Sequence, residues 1–344
     1  MGPPDHLVGA RVGPRQVAHR CRSRSCLGGR LMAAFLCEDG PELARSGRWL
    51  PGGGPAVTNM LVERDGRTIG YAECGDPTGT PFVHMHGAPG SRLDAGPTSP
   101  FAPALAGLGI RLIGVERPGY GISTSRPGRR IVDVVGDVEA VADHLGLDRF
   151  VVSGHSSGGP HALAVGAQLP ERVTAIIAIA SIAPLAQTRD FTGCGEAGLL
   201  ELAVRDPDAL RAQMKDLAVA MRADPTTTLI EMLGSVLSER DIEVSLQPEF
   251  AAHIEPAFIE SARGDYAGYA EDCIAEVVDW GFDPSTVAAP VDLLHGTADL
   301  IVPIEHSRKL AKALPNASLT EHEGDGHVSI LTHFVEVAGG LVAE

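Results

Sequence analysis

Phe150-Val151-Val152-Ser153-Gly154-His155-Ser156-Ser157-Gly158-Gly159 is an apolar run that ends in a turn of small residues. The β-branched run reads as a buried strand, and the glycines mark where the backbone reverses into a helix reaching about Gln168. Such a turn holds its serine at the apex, in a strained conformation with the hydroxyl exposed. The positions two before and two after Ser156 must be small, because strand and helix pass close together there. Gly154 and Gly158 meet that need. In a chain with 41 glycines a bare Gly-x-Ser-x-Gly also arises by chance. The reading therefore depends on what surrounds it.

Outward from the turn, strand-like and helix-like segments alternate from residue 60 onward. Met60–Arg64 and Arg67–Glu73 flank Asp65-Gly66, which predicts a hairpin. Pro81–His84, Ile110–Val115, Val173–Ala180, Pro290–Leu294 and Ala317–Glu321 read as further strands, and the continuous apolar run at Val173–Ala180 suits a central parallel strand. Helices are expected over residues 131–146, Glu305–Leu314 and Val328–Val342. Between about 184 and 286 the alternation gives way to an acidic, helical stretch, with Ala209–Arg222, Thr226–Leu237 and Ile259–Val278 as expected helices. About 100 residues is far longer than one crossover needs, so the stretch is read as a lid inserted between two buried strands.

A serine hydroxyl is a poor nucleophile at neutral pH. It needs a base, and the base needs an acid that fixes its tautomer and stabilises its charged form. On a parallel sheet those groups belong in loops past the carboxyl ends of strands. The acid candidate is Asp299, in His295-Gly296-Thr297-Ala298-Asp299 after a buried strand, with Pro303 opening the next helix; Asp279 and Asp283 stand in reserve. The base candidate is His327, in the loop Glu323-Gly324-Asp325-Gly326-His327, with His322 and His333 as weaker choices. Upstream, His84-Met85-His86-Gly87-Ala88-Pro89-Gly90-Ser91 packs glycines and a proline after a short strand. Backbone N–H groups there can stabilise an oxyanion, and Ala88 and Ser157 are assigned as the donors. Pro89 has no N–H. The loop lacks the spacing and lysine of a phosphate-binding P-loop.

Composition narrows the classes. The net charge of −16 argues against a nucleic-acid partner. No apolar run reaches the roughly 20 residues a bilayer span requires, so no membrane partner is expected. The six cysteines form no Cys-x-x-Cys pair, which argues against zinc and against a disulfide framework. They read as reduced thiols of a cytoplasmic protein. Residues 1–58 carry Gly, Pro and Arg without periodicity, as a disordered leader or a start assigned too early, with Met32 or Met60 as the alternative.

With these motifs in order, the chain over about residues 60–344 resembles the α/β-hydrolase fold family. The resemblance rests on His86-Gly87-Ala88-Pro89-Gly90, Glu116-Arg117-Pro118-Gly119-Tyr120-Gly121, the elbow Gly154–Gly158, the Asp299 loop and Gly326-His327. It is closest in kind to the capped members, including the prolyl aminopeptidase branch and general esterases. It implies an eight-stranded, mostly parallel sheet flanked by helices with a helical cap after strand 6. The core would comprise residues 59–184 and 287–344, and the cap residues 185–286. Serine at the elbow, where dehalogenases and epoxide hydrolases of this fold carry aspartate, disfavours those reactions. The expected activity is hydrolysis of an ester, lactone or amide of a small, mainly apolar molecule, with no metal and no cofactor. Other expectations kept open are a prolyl-type aminopeptidase using lid carboxylates such as Glu255, Glu260 and Glu271, a C–C bond hydrolase, a cofactor-free haloperoxidase-like enzyme, and a non-catalytic lidded receptor.

Overall fold

The computed structural model describes residues 60–343. The expected leader and Cys21, Cys26 and Cys37 lie outside the described residues. Eight strands form one sheet: β1 (Met60–Arg64), β2 (Arg67–Gly75), β3 (Thr80–Met85), β4 (Ile110–Val115), β5 (Phe150–His155), β6 (Val173–Ile179), β7 (Val291–Gly296) and β8 (Ala317–His322). Their order across the sheet is β1-β2-β4-β3-β5-β6-β7-β8. The β1–β2 and β2–β4 pairs are antiparallel and all the others are parallel.

The central strands are buried on both faces because their side chains alternate between two apolar layers. Val83, Ile113, Val152 and Ile176 face one layer, together with α2 (Val135–His144) and α3 (Gly158–Gln168). Their chain neighbours Phe82, Leu112, Val151 and Ile177 face the other, against α1 (Ala102–Gly107) and the C-terminal helix. Each fully buried branched side chain contributes about 1.5–3 kcal/mol relative to exposure.

Between β6 and β7 lie six helices: α4 (Ala197–Arg205), α5 (Pro207–Ala223), α6 (Pro225–Leu233), α7 (Glu239–Ser245), α8 (Pro248–Ser261) and α9 (Ala267–Glu276). They close around an apolar cluster of their own, which Tyr120 and Val302 of the sheet loops also join. Local chemistry sets the helix starts. Asp206 and Asp224 each precede a proline at the first helical position and accept a backbone N–H of the first turn, from Ala209 and Thr227. Ser238 and Asp241 form a reciprocal capping box for α7. After β7 come α10 (Glu305–Ala313) and, at the end, α11 (Phe334–Ala343).

Three expected elements differ. The helix over residues 131–146 begins as a 3₁₀ turn at Ile131–Val134, and the terminal helix begins at Phe334 after another 3₁₀ turn, Ser329–His333. The single helix expected over Ile259–Val278 is two, because Asp265 and Tyr266 take φ of 57° and 52° and redirect the chain. The helices α4, α7 and α8 were not foreseen as separate elements. Among the described residues, Cys74, Cys194 and Cys273 are free thiols, and no helix is long and apolar enough to cross a membrane.

Candidate active site

The elbow follows the geometry its sequence predicts. Ser156 sits between β5 and α3 with φ of 55°, a left-handed conformation that costs a non-glycine residue on the order of 1–3 kcal/mol. Its backbone is held on both sides, its N–H donating to Ile179 O at 2.8 Å and its carbonyl accepting from Gly159 N at 2.9 Å. A Cβ on Gly154 would lie 2.3 Å from Gly158 O, and one on Gly158 only 2.0 Å from Met85 O. Neither position can carry a side chain without moving backbone.

Asp299 and His327 meet although 28 residues separate them. His327 Nδ1 and Asp299 Oδ2 are 2.7 Å apart, and both residues are buried. The other carboxylate oxygen of Asp299 accepts from the N–H groups of Ile301 and Val302 at 2.8 and 2.9 Å. Burial alone would raise the Asp299 carboxyl, but the His327 and His295 rings, by charge and by hydrogen bond, hold it far below the usual range. Ser156 and His327 line one cavity. Among the described residues the Ser156 hydroxyl makes no hydrogen bond. Such bonds are commonly long in unliganded sites and tighten when substrate fills them.

The reserve candidates lie elsewhere. Asp279 and Asp283 are exposed and accept from Gly281 N and Ser285 N in their own turns. His333 Nε2 and Asp325 Oδ2 are 2.8 Å apart, and the His322 ring packs on His333 with centroids at 3.8 Å. Those three residues bring potential ligand atoms within 4.8 Å of one another, the one group of this kind among the described residues. Its Asp325 belongs to the loop that carries His327, and none of the three lines the cavity.

The loop after β3 rests on a buried cation. Arg117 donates to the carbonyls of His86 and Gly87, the latter at 3.0 Å, and its own N–H reaches His86 Nε2 at 3.2 Å. Carbonyl and N–H point in opposite directions across a trans peptide, so tying Gly87 O to Arg117 turns the Ala88 N–H away from the guanidinium. Ala88 and Ser157 both line the cavity space beside Ser156. Neither N–H makes a backbone hydrogen bond among the described residues. Arg117 is itself held by Asp272 of α9, at 2.6 and 3.0 Å, and Asp272 also takes Arg129 and the Tyr120 hydroxyl.

Several residues here carried no local signal. Asp241 of α7 accepts the N–H groups of His327, Val328 and Ser329 at 3.0, 2.8 and 2.8 Å, and so fixes the backbone that presents the imidazole. His155 packs its ring 4.7 Å from that of His327, with Nε2 3.0 Å from the His327 carbonyl oxygen. Burial pushes the His155 ring down to about 3, so it serves as a neutral wall.

None of Glu255, Glu260 and Glu271 lines the cavity. Glu260 pairs with Arg92, Glu271 with Arg211, and Glu255 with the Thr226 hydroxyl. The carboxyls beside Ser156 are Glu196 and Glu276. Glu196 accepts the Tyr269 hydroxyl and is raised by burial. Burial pushes Glu276 up to about 8, with the nearby charges of Asp272 and Glu196 adding to the rise.

A family model described as the alpha/beta hydrolase fold matches residues 80–334. Over 222 residues the chain is 32% identical to the dihydrolipoyllysine-residue acetyltransferase component of the acetoin cleaving system of Pseudomonas putida, covering 62% of this chain and 52% of that protein. The chain thus spans about half the length of that relative. It is 26% identical over 288 residues to a proline iminopeptidase of Neisseria meningitidis, covering 77% of this chain and 88% of the relative. Among solved structures, an enol-lactonase from Burkholderia xenovorans LB400 superposes with a TM-score of 0.59 at 20% identity, covering 83% of this chain and 100% of that one.

Proposed function

The chain belongs to the α/β-hydrolase fold family, and on that premise we propose that it is a serine hydrolase cleaving an ester, lactone or amide of a small, mainly apolar substrate. The observation that carries the reading is the 2.7 Å bond between His327 Nδ1 and Asp299 Oδ2, opening on the cavity where Ser156 stands at φ 55°. Ser156 Oγ attacks the substrate carbonyl while His327 Nε2 takes its proton. Asp299 holds the Nδ1–H tautomer and stabilises the imidazolium. The Ala88 and Ser157 N–H groups receive the oxyanion; removing one donor of this kind costs ~10²–10³ in rate. The proton on His327 then passes to the leaving group. A water activated by the same ring releases the acid.

In this reading the six helices between β6 and β7 form a cap. Phe250 and Phe258 of α8 line the cavity together with Phe101 and Phe334 of the core, and the Phe101 and Phe250 rings meet edge to face with centroids at 5.8 Å. The cavity has mostly apolar walls, which suits an apolar acyl or alcohol group.

A fluorophosphonate probe tests the proposal. An enzyme should label at Ser156 and lose activity in step with labelling, whereas a lidded receptor on the same fold should stay unlabelled. The pH profile gives a second test. Burial alone would push His327 down, but the Asp299 carboxylate and the charges of Asp241 and Glu196 reverse this and raise it. A base acts only when neutral, so kcat/KM should fall with acid through an apparent pKa above the ordinary imidazole value of about 6.5. Asp299→Asn should move that limb to lower pH. A wild-type limb well below 6 would contradict the assignment of His327.

Glu196 and Glu276 favour a second reading. Two carboxyls beside the nucleophile, the buried Glu276 and the half-buried Glu196, suit a substrate ammonium, as a prolyl-type aminopeptidase would require, and the proline iminopeptidase relative points the same way. Binding a cation would draw the proton from Glu276. A panel of p-nitrophenyl esters, lactones and prolyl anilides separates the two readings: preference for the anilide, lost in Glu276→Gln, selects the peptidase.

A further inference from the structure

The large cavity is mostly apolar, and apart from His84 and Ser245 its polar lining falls at two places. One is the reactive end, with Ser156, His155, His327 and Glu196. The other is Asp94, in the 3₁₀ turn Arg92–Ala95, facing His253 of α8. Asp94 Oδ1 and His253 Nε2 are 3.4 Å apart, a long contact for a charged pair. Among the described residues no other donor reaches the Asp94 carboxylate. Its side chain nevertheless keeps 25% of its surface accessible, and the residue lines the cavity. His253 is 9% exposed, and its Nδ1 is buried without a partner.

An ionised carboxylate against apolar walls needs two or three donors to offset lost hydration. Here burial would raise Asp94, and His253, with the more distant rings of His84 and His86, brings it below its ordinary value. The charge is therefore kept with one donor from the protein, His253, and an accessible face toward the cavity.

Resting on the hydrolase reading, we infer that Asp94 and His253 form a polar subsite in the apolar cavity, taking a hydrogen-bond donor, hydroxyl or amine, carried by the apolar part of the substrate away from the scissile bond. Asp94 accepts from that donor, and His253 holds the carboxylate in position. A substrate bearing only hydrocarbon would leave the carboxylate unsatisfied.

The test uses p-nitrophenyl esters of straight-chain acids of equal length that end in methyl, hydroxyl or ammonium. Wild type should favour a donor-ended ester over the methyl-ended one by about tenfold in kcat/KM, the size of one net hydrogen bond to a charged group. Asp94→Leu should bring that ratio to about one or below. Asp94→Asn keeps an acceptor oxygen without charge, so it should retain preference for the hydroxyl and lose any for the ammonium, which tells the two donors apart. A wild-type ratio near one overturns the inference, as does a ratio that survives Asp94→Leu. A loss shared equally by all three esters would make the pair a latch between cap and core and likewise overturn it. Calorimetric binding of an α,ω-diol against the matched alkanol to Ser156→Ala repeats the comparison without turnover. Equal affinities there sink the subsite whatever the chemistry, whereas unlabelled Ser156 and no ester turnover in wild type sink the hydrolase reading alone.

Discussion

Ser156→Ala should lower p-nitrophenyl ester turnover by roughly 10⁴–10⁶ while the protein stays folded. The size of the loss follows from what the hydroxyl does. Without it no acyl-enzyme forms, and the oxyanion donors with substrate positioning can supply only the residual acceleration over water. The fold is spared because the turn is held by backbone, through Ser156 N to Ile179 O and Gly159 N to Ser156 O, and no side-chain bond of Ser156 contributes. A φ of 55° even disfavours any residue with a Cβ, so Ser156→Gly should be as inactive as the alanine variant and at least as stable. Turnover rates with intact-mass labelling measure the first effect and urea unfolding the second. Near-wild-type turnover in Ser156→Ala would falsify the assignment of the nucleophile.

Much of this centre was legible in the sequence, for a physical reason. A strand that ends at a nucleophile is a short β-branched run stopped by glycines, and both signals are local. The Asp299 loop could be found the same way, after an apolar run that ends in glycine, and the His327 loop by its two glycines between a strand and the terminal helix. What holds those loops in place was not legible. Asp241 lies 86 residues before His327 in the chain, and Asp272 lies 155 residues after Arg117. Each sits on a helix where an acidic residue reads as part of a solvated face. Asp94 and His253 have the same character. The division of α8 from α9 was missed because Gly264-Asp265 was read through as part of a helical pattern, and a tyrosine carries no sign of the positive φ that Tyr266 adopts. Glu196 and Glu276 were passed over for a related reason: in an acidic segment, the carboxylates that face inward have no compositional mark.

Asp272→Ala should cost about 3–5 kcal/mol of stability, a large share of the 5–15 kcal/mol typical of a whole domain. The carboxylate is fully buried and sits between two cations, Arg117 and Arg129, whose side chains are also 0% exposed. Removing it leaves two buried guanidinium groups without their counter-charge. That is the expensive way to break a buried pair. Arg117 is also what ties down the His86 and Gly87 carbonyls, so the surviving folded fraction should show a lower kcat as the Ala88 N–H loses its fixed direction. Urea unfolding should show the midpoint falling with the slope unchanged. Acid provides a control. Its two arginine partners hold the Asp272 carboxyl far below the ordinary range. A group depressed in this way stabilises the fold fully above the unfolded value of about 3.9 and loses that contribution only as pH falls toward the folded value. Lowering the pH from 7 to 5 should therefore leave this network intact, whereas the mutation removes it at every pH. A loss under about 1 kcal/mol in Asp272→Ala would mean that the arginines find water or other acceptors, and that the loop after β3 does not depend on α9 for its geometry.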